Sequence, residues 1–222
     1  MKNRLLSTMA TLMFATVSLV IIGCSSGDDS SIGDTGDAAS RAYVAPGKYD
    51  EFYNFVSGGF SGQLAVYGLP SGRLFRVIPV FSVDPEKAWG YSEETKPMLM
   101  TSHGFVPWDD FHHPELSMTD GVPDGKWIFG NANNTPRVAR IDLAEFRTKE
   151  ILEIPNSSGN HSSPFTTENS EYVVAGTRFS IPIPNEDVPI ADREKFRGAL
   201  SFIKVDKTTG HMELAFQLLV PG

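Results

Sequence analysis

Arg137-Val-Ala-Arg-Ile-Asp-Leu143, followed by Ala144 to Thr148 and then Lys149-Glu-Ile-Leu-Glu-Ile-Pro155, is the stretch on which the fold class turns. Apolar and polar residues alternate through both halves, the period of a chain whose side chains point to opposite faces in turn. The polar segment between them is short enough to lay the second strand back on the first. Two other stretches follow the same plan. Gln63-Leu-Ala-Val-Tyr-Gly-Leu69 runs through Pro70-Ser71-Gly72 into Arg73-Leu-Phe-Arg-Val-Ile-Pro-Val80. Ala199-Leu-Ser-Phe-Ile-Lys-Val-Asp206 turns at Lys207-Thr-Thr-Gly210 into His211-Met-Glu-Leu-Ala-Phe-Gln-Leu-Leu-Val220. With Gly, Pro, Asn and Asp breaking the apolar runs, everything from Ala42 onward reads as all-β. Ala191 to Phe196 is the one helical hint.

Setting Val66, Ile141 and Val205 in register gives spacings of 75 and 64 residues. An imperfect repeat of antiparallel hairpins, each unable to bury its own face, is how a β-propeller looks in sequence. A β-sandwich presents similar hairpins, so periodicity leaves both architectures open. Residues 42–222 have room for about three blades, whereas propellers close with roughly four to eight. An open arc leaves unpaired edges, which natural proteins avoid. The expectation is therefore the N-terminal portion of a longer protein.

Composition narrows the chemistry. The 222 residues include 41% hydrophobic and 11% aromatic side chains, enough to build a core. A formal net charge of -8 offers no electrostatic footprint for a polyanion, so nucleic-acid binding is not expected. A single cysteine, Cys24, excludes an intrachain disulfide framework and cysteine-based metal clusters. A bound metal would have to be carried by histidines.

The N-terminus addresses the compartment. Lys2 and Arg4 precede an uncharged apolar run from Leu5 to Ile22, the plan of a bacterial export signal. The run is also just long enough to span a bilayer, so an uncleaved helix is the competing reading. Ile21-Ile22-Gly23-Cys24 resembles the lipobox of bacterial lipoproteins, in which the cysteine is lipidated and becomes the mature N-terminus. Residues 1–23 are thus read as signal peptide and Cys24 as the lipidation site. Residues 24–41, almost all Ser, Gly, Asp and Ala after the cysteine, are read as a flexible tether, and 42–222 as the folded body. The expected location is the periplasm or cell envelope, with the protein anchored to a membrane through its lipid.

Of five histidines, three sit in polar, turn-rich segments. His112 and His113 lie in Trp108-Asp-Asp-Phe-His-His-Pro-Glu-Leu-Ser117, and His161 in Ile154-Pro-Asn-Ser-Ser-Gly-Asn-His-Ser-Ser-Pro164. Neighbouring histidines serve one centre only where the backbone leaves strand geometry, and Pro114 invites such a departure. Asp110 is placed to accept the second ring N–H of a ligating histidine. Spacing alone leaves these three as either solvated loop residues or ligands. His103 and His211 read as exposed turn histidines, and Glu93, Glu94, Asp109 and Asp110 default to solvated loop acids. The serines around His161 lack a strand-to-helix nucleophile elbow, so a hydrolase is not indicated.

Four segments carry a resemblance. Asp110-Phe-His-His-Pro-Glu-Leu-Ser117, Asp124-Gly-Lys-Trp-Ile-Phe-Gly-Asn131, Arg137-Val-Ala-Arg-Ile141 and Glu153-Ile-Pro-Asn-Ser-Ser-Gly-Asn-His161 occur in the order and spacing of the catalytic domain of the nitrous-oxide reductase family. With no Arg-Arg pair before the apolar run, the chain resembles the Sec-exported branch. The resemblance covers Tyr43 to Gly222 and implies a seven-bladed β-propeller carrying a sulfide-bridged four-copper centre bound by seven histidines. It makes His112, His113 and His161 three of those ligands and Asp110 the outer-shell aspartate that supports them. It implies reduction of N2O to N2 and water as the last step of denitrification. A cytochrome c or similar periplasmic protein would supply electrons, and the assembly would be a homodimer. The other four histidines, calcium and a dinuclear copper site with its two cysteines belong to the full-length protein only, so this chain alone is expected to be inactive. Two rivals stand beside this reading: a non-catalytic lipid-anchored β-propeller binding module, and a simple copper-binding lipoprotein.

Overall fold

The computed structural model describes residues 38–161, 164–183 and 186–221. The export signal, Cys24 and the tether up to residue 37 lie outside them. The chain divides into two units, Met1–Arg41 and Ala42–Gly222. Across the boundary runs a short helix, α1 (Ala38–Ala42), all of it exposed. The tether reading expects irregular chain here; three alanines, the strongest helix formers, give one helical turn instead.

The second unit is all-β, with every strand pair antiparallel. A first sheet has the order β1 (Phe52–Ser57), β2 (Gln63–Leu69), β3 (Leu74–Pro79). A two-stranded ribbon follows, β4 (Met100–Thr101) with β5 (Gly104–Phe105). A second sheet runs β6 (Phe111–Thr119), β7 (Val122–Ala132), β8 (Arg137–Asp142), β9 (Arg147–Glu153) in sequence order. The third gathers β10 (Phe165–Thr166), β11 (Tyr172–Gly176), β12 (Ile181–Pro182), β13 (Phe196–Val205) and β14 (Met212–Pro221). There β13 pairs with β11, β12 and β14. None of the three sheets closes on itself. The helical hint at 191–196 is a single 3-10 turn, Arg193–Lys195. Two more such turns, Pro85–Lys87 and Lys96–Leu99, carry prolines at their starts, where the missing N–H costs no bond.

The three hairpins expected from alternation are β2–β3, β8–β9 and β13–β14. Their apolar faces make two cores. One joins Leu64, Val66 and Ile78 of the first sheet to Phe111, Ile128, Ala139 and Ile141 of the second. The other joins Trp127, Phe129 and Val138 of the second to Val173, Ile203, Val205 and Met212 of the third. Successive residues of one strand, Val138 and Ala139, thus belong to different cores. The second sheet is covered on both sides, and every residue of β8 from Arg137 to Ile141 is buried. Fully burying an apolar side chain of this size stabilises the fold by about 1.5–3 kcal/mol.

The β6–β7 turn is Asp120-Gly121, both at positive φ (51° and 73°), the two-residue geometry whose twist matches the flanking strands. Just beyond it, Asp124 accepts hydrogen bonds from the Thr119 hydroxyl (2.9 Å), the Lys126 main-chain N–H (3.1 Å) and the Ser117 hydroxyl. Burial pushes this carboxyl up, but those bonds and the Lys126 charge outweigh it and hold the group below the ordinary carboxylate range. A depressed acid adds stability above its unfolded pKa, and that stability is lost as pH falls through the folded value. Asp124→Asn is therefore expected to lower Tm at neutral pH, with the gap to wild type narrowing below about pH 4. A gap that stays constant across thermal scans from neutral to acidic pH would contradict this.

Candidate metal centre

At the start of β6 the ladder with β7 breaks. His112 faces Asn131 and Glu115 faces Phe129, so His113 and Pro114 together stand opposite Gly130. This is a β-bulge, made where Pro114 has no N–H to give the ladder. His113 takes up the distortion at φ 45°, the left-handed region that His tolerates better than bulky or branched residues. A regular strand would send adjacent side chains to opposite faces; the bulge leaves the His112 and His113 rings 5.6 Å apart. Gly130 is required opposite the bulge, because a Cβ there would run into the Phe111 ring.

His161 arrives from the loop after β9. The loop docks on the end of β7: the Asn160 N–H donates to the Ala132 carbonyl (3.1 Å), and the Asn131 side-chain amide donates to the Asn160 carbonyl. On the far side, the Arg178 N–H donates to the Gly159 carbonyl (2.6 Å) and Asn160 bridges to Thr177. Gly159 lies so close to the main chain of Asn133 and Asn134 that a Cβ would meet the Asn133 carbonyl.

The two arms bring three imidazoles together. The His161 ring lies 5.1 Å from that of His112 and 5.2 Å from that of His113. One ring nitrogen of each is within 4.8 Å of the others, close enough for small ring rotations to converge on one ion at His-to-metal distances of about 2.0–2.1 Å. His112 is half-buried and the other two are exposed, so the group opens outward. Burial, then the nearby His161 and His112, hold the His113 ring below its ordinary pKa. It is therefore neutral near pH 7, with a lone pair free to donate.

Behind the group, Asp110 is 4% exposed. Its Oδ2 is 3.7 Å from His112 Nε2 and accepts a hydrogen bond from Asn133 Nδ2 at 3.1 Å. Asp109, 1% exposed, is still more constrained. Its Oδ1 accepts from the Asp110 N–H (2.8 Å) and from the main-chain and side-chain N–H groups of Asn134 (both 3.0 Å). Its Oδ2 accepts from the Thr135 hydroxyl and from Arg137 Nη2 (3.4 Å). The default of solvated loop acids thus fails for Asp109 and Asp110, because the loop after β7 folds over them, while Glu93 and Glu94 are exposed as expected.

His103 and His211 do not join the group. His103 is exposed in the β4–β5 turn. His211 pairs through Nδ1 with Glu150 Oε1 at 2.8 Å, its side chain 67% exposed. Cys24 lies outside the described residues. Asn131, Asn133 and Asn160 have structural roles at the group that sequence reading passed over. The only signal for them was adjacency, Asn160 to His161 and Asn131-Ala-Asn133 to the end of an apolar run.

Comparison with known proteins bears on this geometry. The chain is 39% identical over 193 residues to the nitrous-oxide reductase of Pseudomonas fluorescens and 36% identical over 187 residues to that of Stutzerimonas stutzeri, each match covering 84% of this chain. By sequence, the chain is a homologue of the nitrous-oxide reductases. The nitrous-oxide reductase of Cupriavidus necator is 34% identical over 196 residues. This chain spans 29% of the length of the Pseudomonas and Stutzerimonas nitrous-oxide reductases. No protein-family model matches. Among solved structures, Kuenenia stuttgartiensis Hydrazine Synthase aligns over 76% of this chain at 16% identity with a TM-score of 0.38, a likeness too slight to carry an argument.

Proposed function

We propose that this chain is the N-terminal part of a copper-dependent nitrous-oxide reductase, with His112, His113 and His161 as three of the seven histidine ligands of its catalytic copper centre. The observation that carries the reading is the meeting of three imidazoles from two chain segments, by way of a bulge and a tightly docked loop, in a homologue of that family. The donor set fits. Three imidazole nitrogen donors with no thiolate suit copper, and the exposed side of the group leaves room for further ligands. When bound, the four-copper sulfide centre would supply the electron pair that splits the N–O bond of N2O, releasing N2 and, with two protons, water. The chain's own residues do simpler work. His113 offers a lone pair kept free by its lowered pKa. Asp110 sits where it can accept the second ring N–H of His112, fixing tautomer and ring orientation. The three sheets are read as successive blades of a propeller, which the serial stacking of their faces supports. An electron donor such as a cytochrome c, a homodimer, calcium and the dinuclear copper site belong to the full-length protein.

The test is copper per polypeptide in full-length protein purified from the periplasmic side, with the 222-residue chain measured in parallel. Copper in the long form alone supports the reading. A full-length protein that takes up no copper sinks it.

The N-terminal assignment is part of the same proposal: signal 1–23, lipidated Cys24, tether 24–41, and a body facing the periplasm. Among the described residues no helix is long and apolar enough to cross a membrane. Cys24→Ser is expected to move the protein from the membrane to the periplasmic fraction. Retention in the membrane after fractionation would favour an uncleaved helix.

A further inference from the structure

Four buried polar atoms beside the histidines have no protein partner: Asp110 Oδ1, Asn131 Oδ1, Asn133 Oδ1 and Asn160 Nδ2. A buried polar atom left unbonded costs its desolvation with nothing gained in return, so an apolar residue would serve the core better at a position kept for packing alone. Asn131 is the sharpest case. It is fully buried between Gly130 and Ala132 at the end of β7, directly opposite His112 in the ladder. Its one side-chain bond runs to the Asn160 carbonyl. That carbonyl belongs to the peptide joining Asn160 to His161, so the bond sets the plane from which the His161 side chain departs. With the Asn160 N–H on the Ala132 carbonyl, two consecutive residues of β7 hold both main-chain polar groups of Asn160.

Resting on the ligand reading above, we propose that Asn131 is a positioning residue for the three-histidine group: its amide ties the arm carrying His161 to the strand pair carrying His112 and His113. Asn131 touches no metal; it acts through His161. Removal of the N–H donor frees the peptide plane, and the third imidazole loses its register with the other two.

The test uses full-length, copper-loaded protein and reads the rate of copper loss to a chelator, alongside the Tm of the metal-free form. Asn131→Asp keeps the shape and turns the donor into an acceptor. It is expected to shed copper about 10–100-fold faster, the usual effect of losing a residue that supports a ligand. Asn131→Ala, measured beside it, keeps the question open should Asn131→Asp fail to fold. In a His161→Ala background either substitution is expected to add nothing further, because the residue acts through that histidine. Unchanged copper loss, an effect that adds to His161→Ala, or a lowered metal-free Tm with normal copper retention would each overturn the proposal. Copper loss that is the same in wild type and His161→Ala would remove the ligand reading, and this proposal with it. Loss that depends on His161 but not on Asn131 would overturn the proposal alone.

Discussion

His112→Ala or His161→Ala in the full-length protein is expected to lower copper content and abolish N2O reduction, whereas His211→Ala leaves both unchanged. The contrast comes from placement. His112 and His161 have rings 5.1 Å apart, while His211 is committed to Glu150 at 2.8 Å. Losing one imidazole from a shared centre removes a donor that no neighbour can replace, since the described surroundings of the group are asparagines and the carboxylate of Asp110, which is already engaged by Asn133. Metal analysis and a gas-consumption assay on the three variants decide the matter. Equal copper in all three would refute the ligand assignment.

Asp109→Ala is expected to cost about 3–5 kcal/mol of stability, the range for breaking a buried ion pair and stranding its partner. That partner is Arg137, fully buried and laid over the Phe81 ring at 5.2 Å. Burial drives the guanidinium pKa down, and Asp109 is the main influence pushing it back up. Without Asp109 the guanidinium keeps the Thr135 hydroxyl as a side-chain hydrogen-bond acceptor and only the weaker pull of the Glu153 charge, and Nη1 already lacks a partner. The Asn134 and Asp110 N–H groups lose their acceptor as well, so the damage spreads toward the histidines. Denaturant unfolding of wild type, Asp109→Ala and Asp109→Asn measures it. Asp109→Asn keeps the shape and should fall between the other two. A loss below about 1 kcal/mol for Asp109→Ala would mean that water reaches Arg137 after all.

How much of this was legible depended on the signal each residue leaves. The β2–β3, β8–β9 and β13–β14 hairpins were readable because alternation runs unbroken through them. The β6–β7 hairpin was not picked out, although Asp120-Gly121 spells its turn, because Pro114, Pro123 and the bulge interrupt the alternation on either side. The three histidines and Asp110 could be nominated from spacing and family resemblance, and Pro114 hinted at the irregular backbone that lets His112 and His113 share a face. Nothing in spacing revealed that Asp109 would be sealed under residues 133–137. Burial of an acid is decided by what folds over it, and the covering loop lies more than twenty residues downstream. The asparagines stayed hidden for the same reason: a polar residue at a strand end looks like turn chemistry until its partner is seen.

The double-sided burial of β8 carries a last consequence, for tolerance of change. A strand with water on one side can accept almost any residue at every second position. From Arg137 to Ile141 there is no such freedom, since all five residues are buried and Val138, Ala139 and Ile141 are packed into one core or the other. A methyl group gained there has no solvent into which the misfit can be released and must displace a neighbouring sheet, while one lost leaves a cavity between the sheets. In contrast, β14 presents Phe216, Leu218, Leu219 and Val220 outward. Mutational scanning would therefore find the least permissive stretch of the folded unit in β8, a strand that carries none of the three histidines.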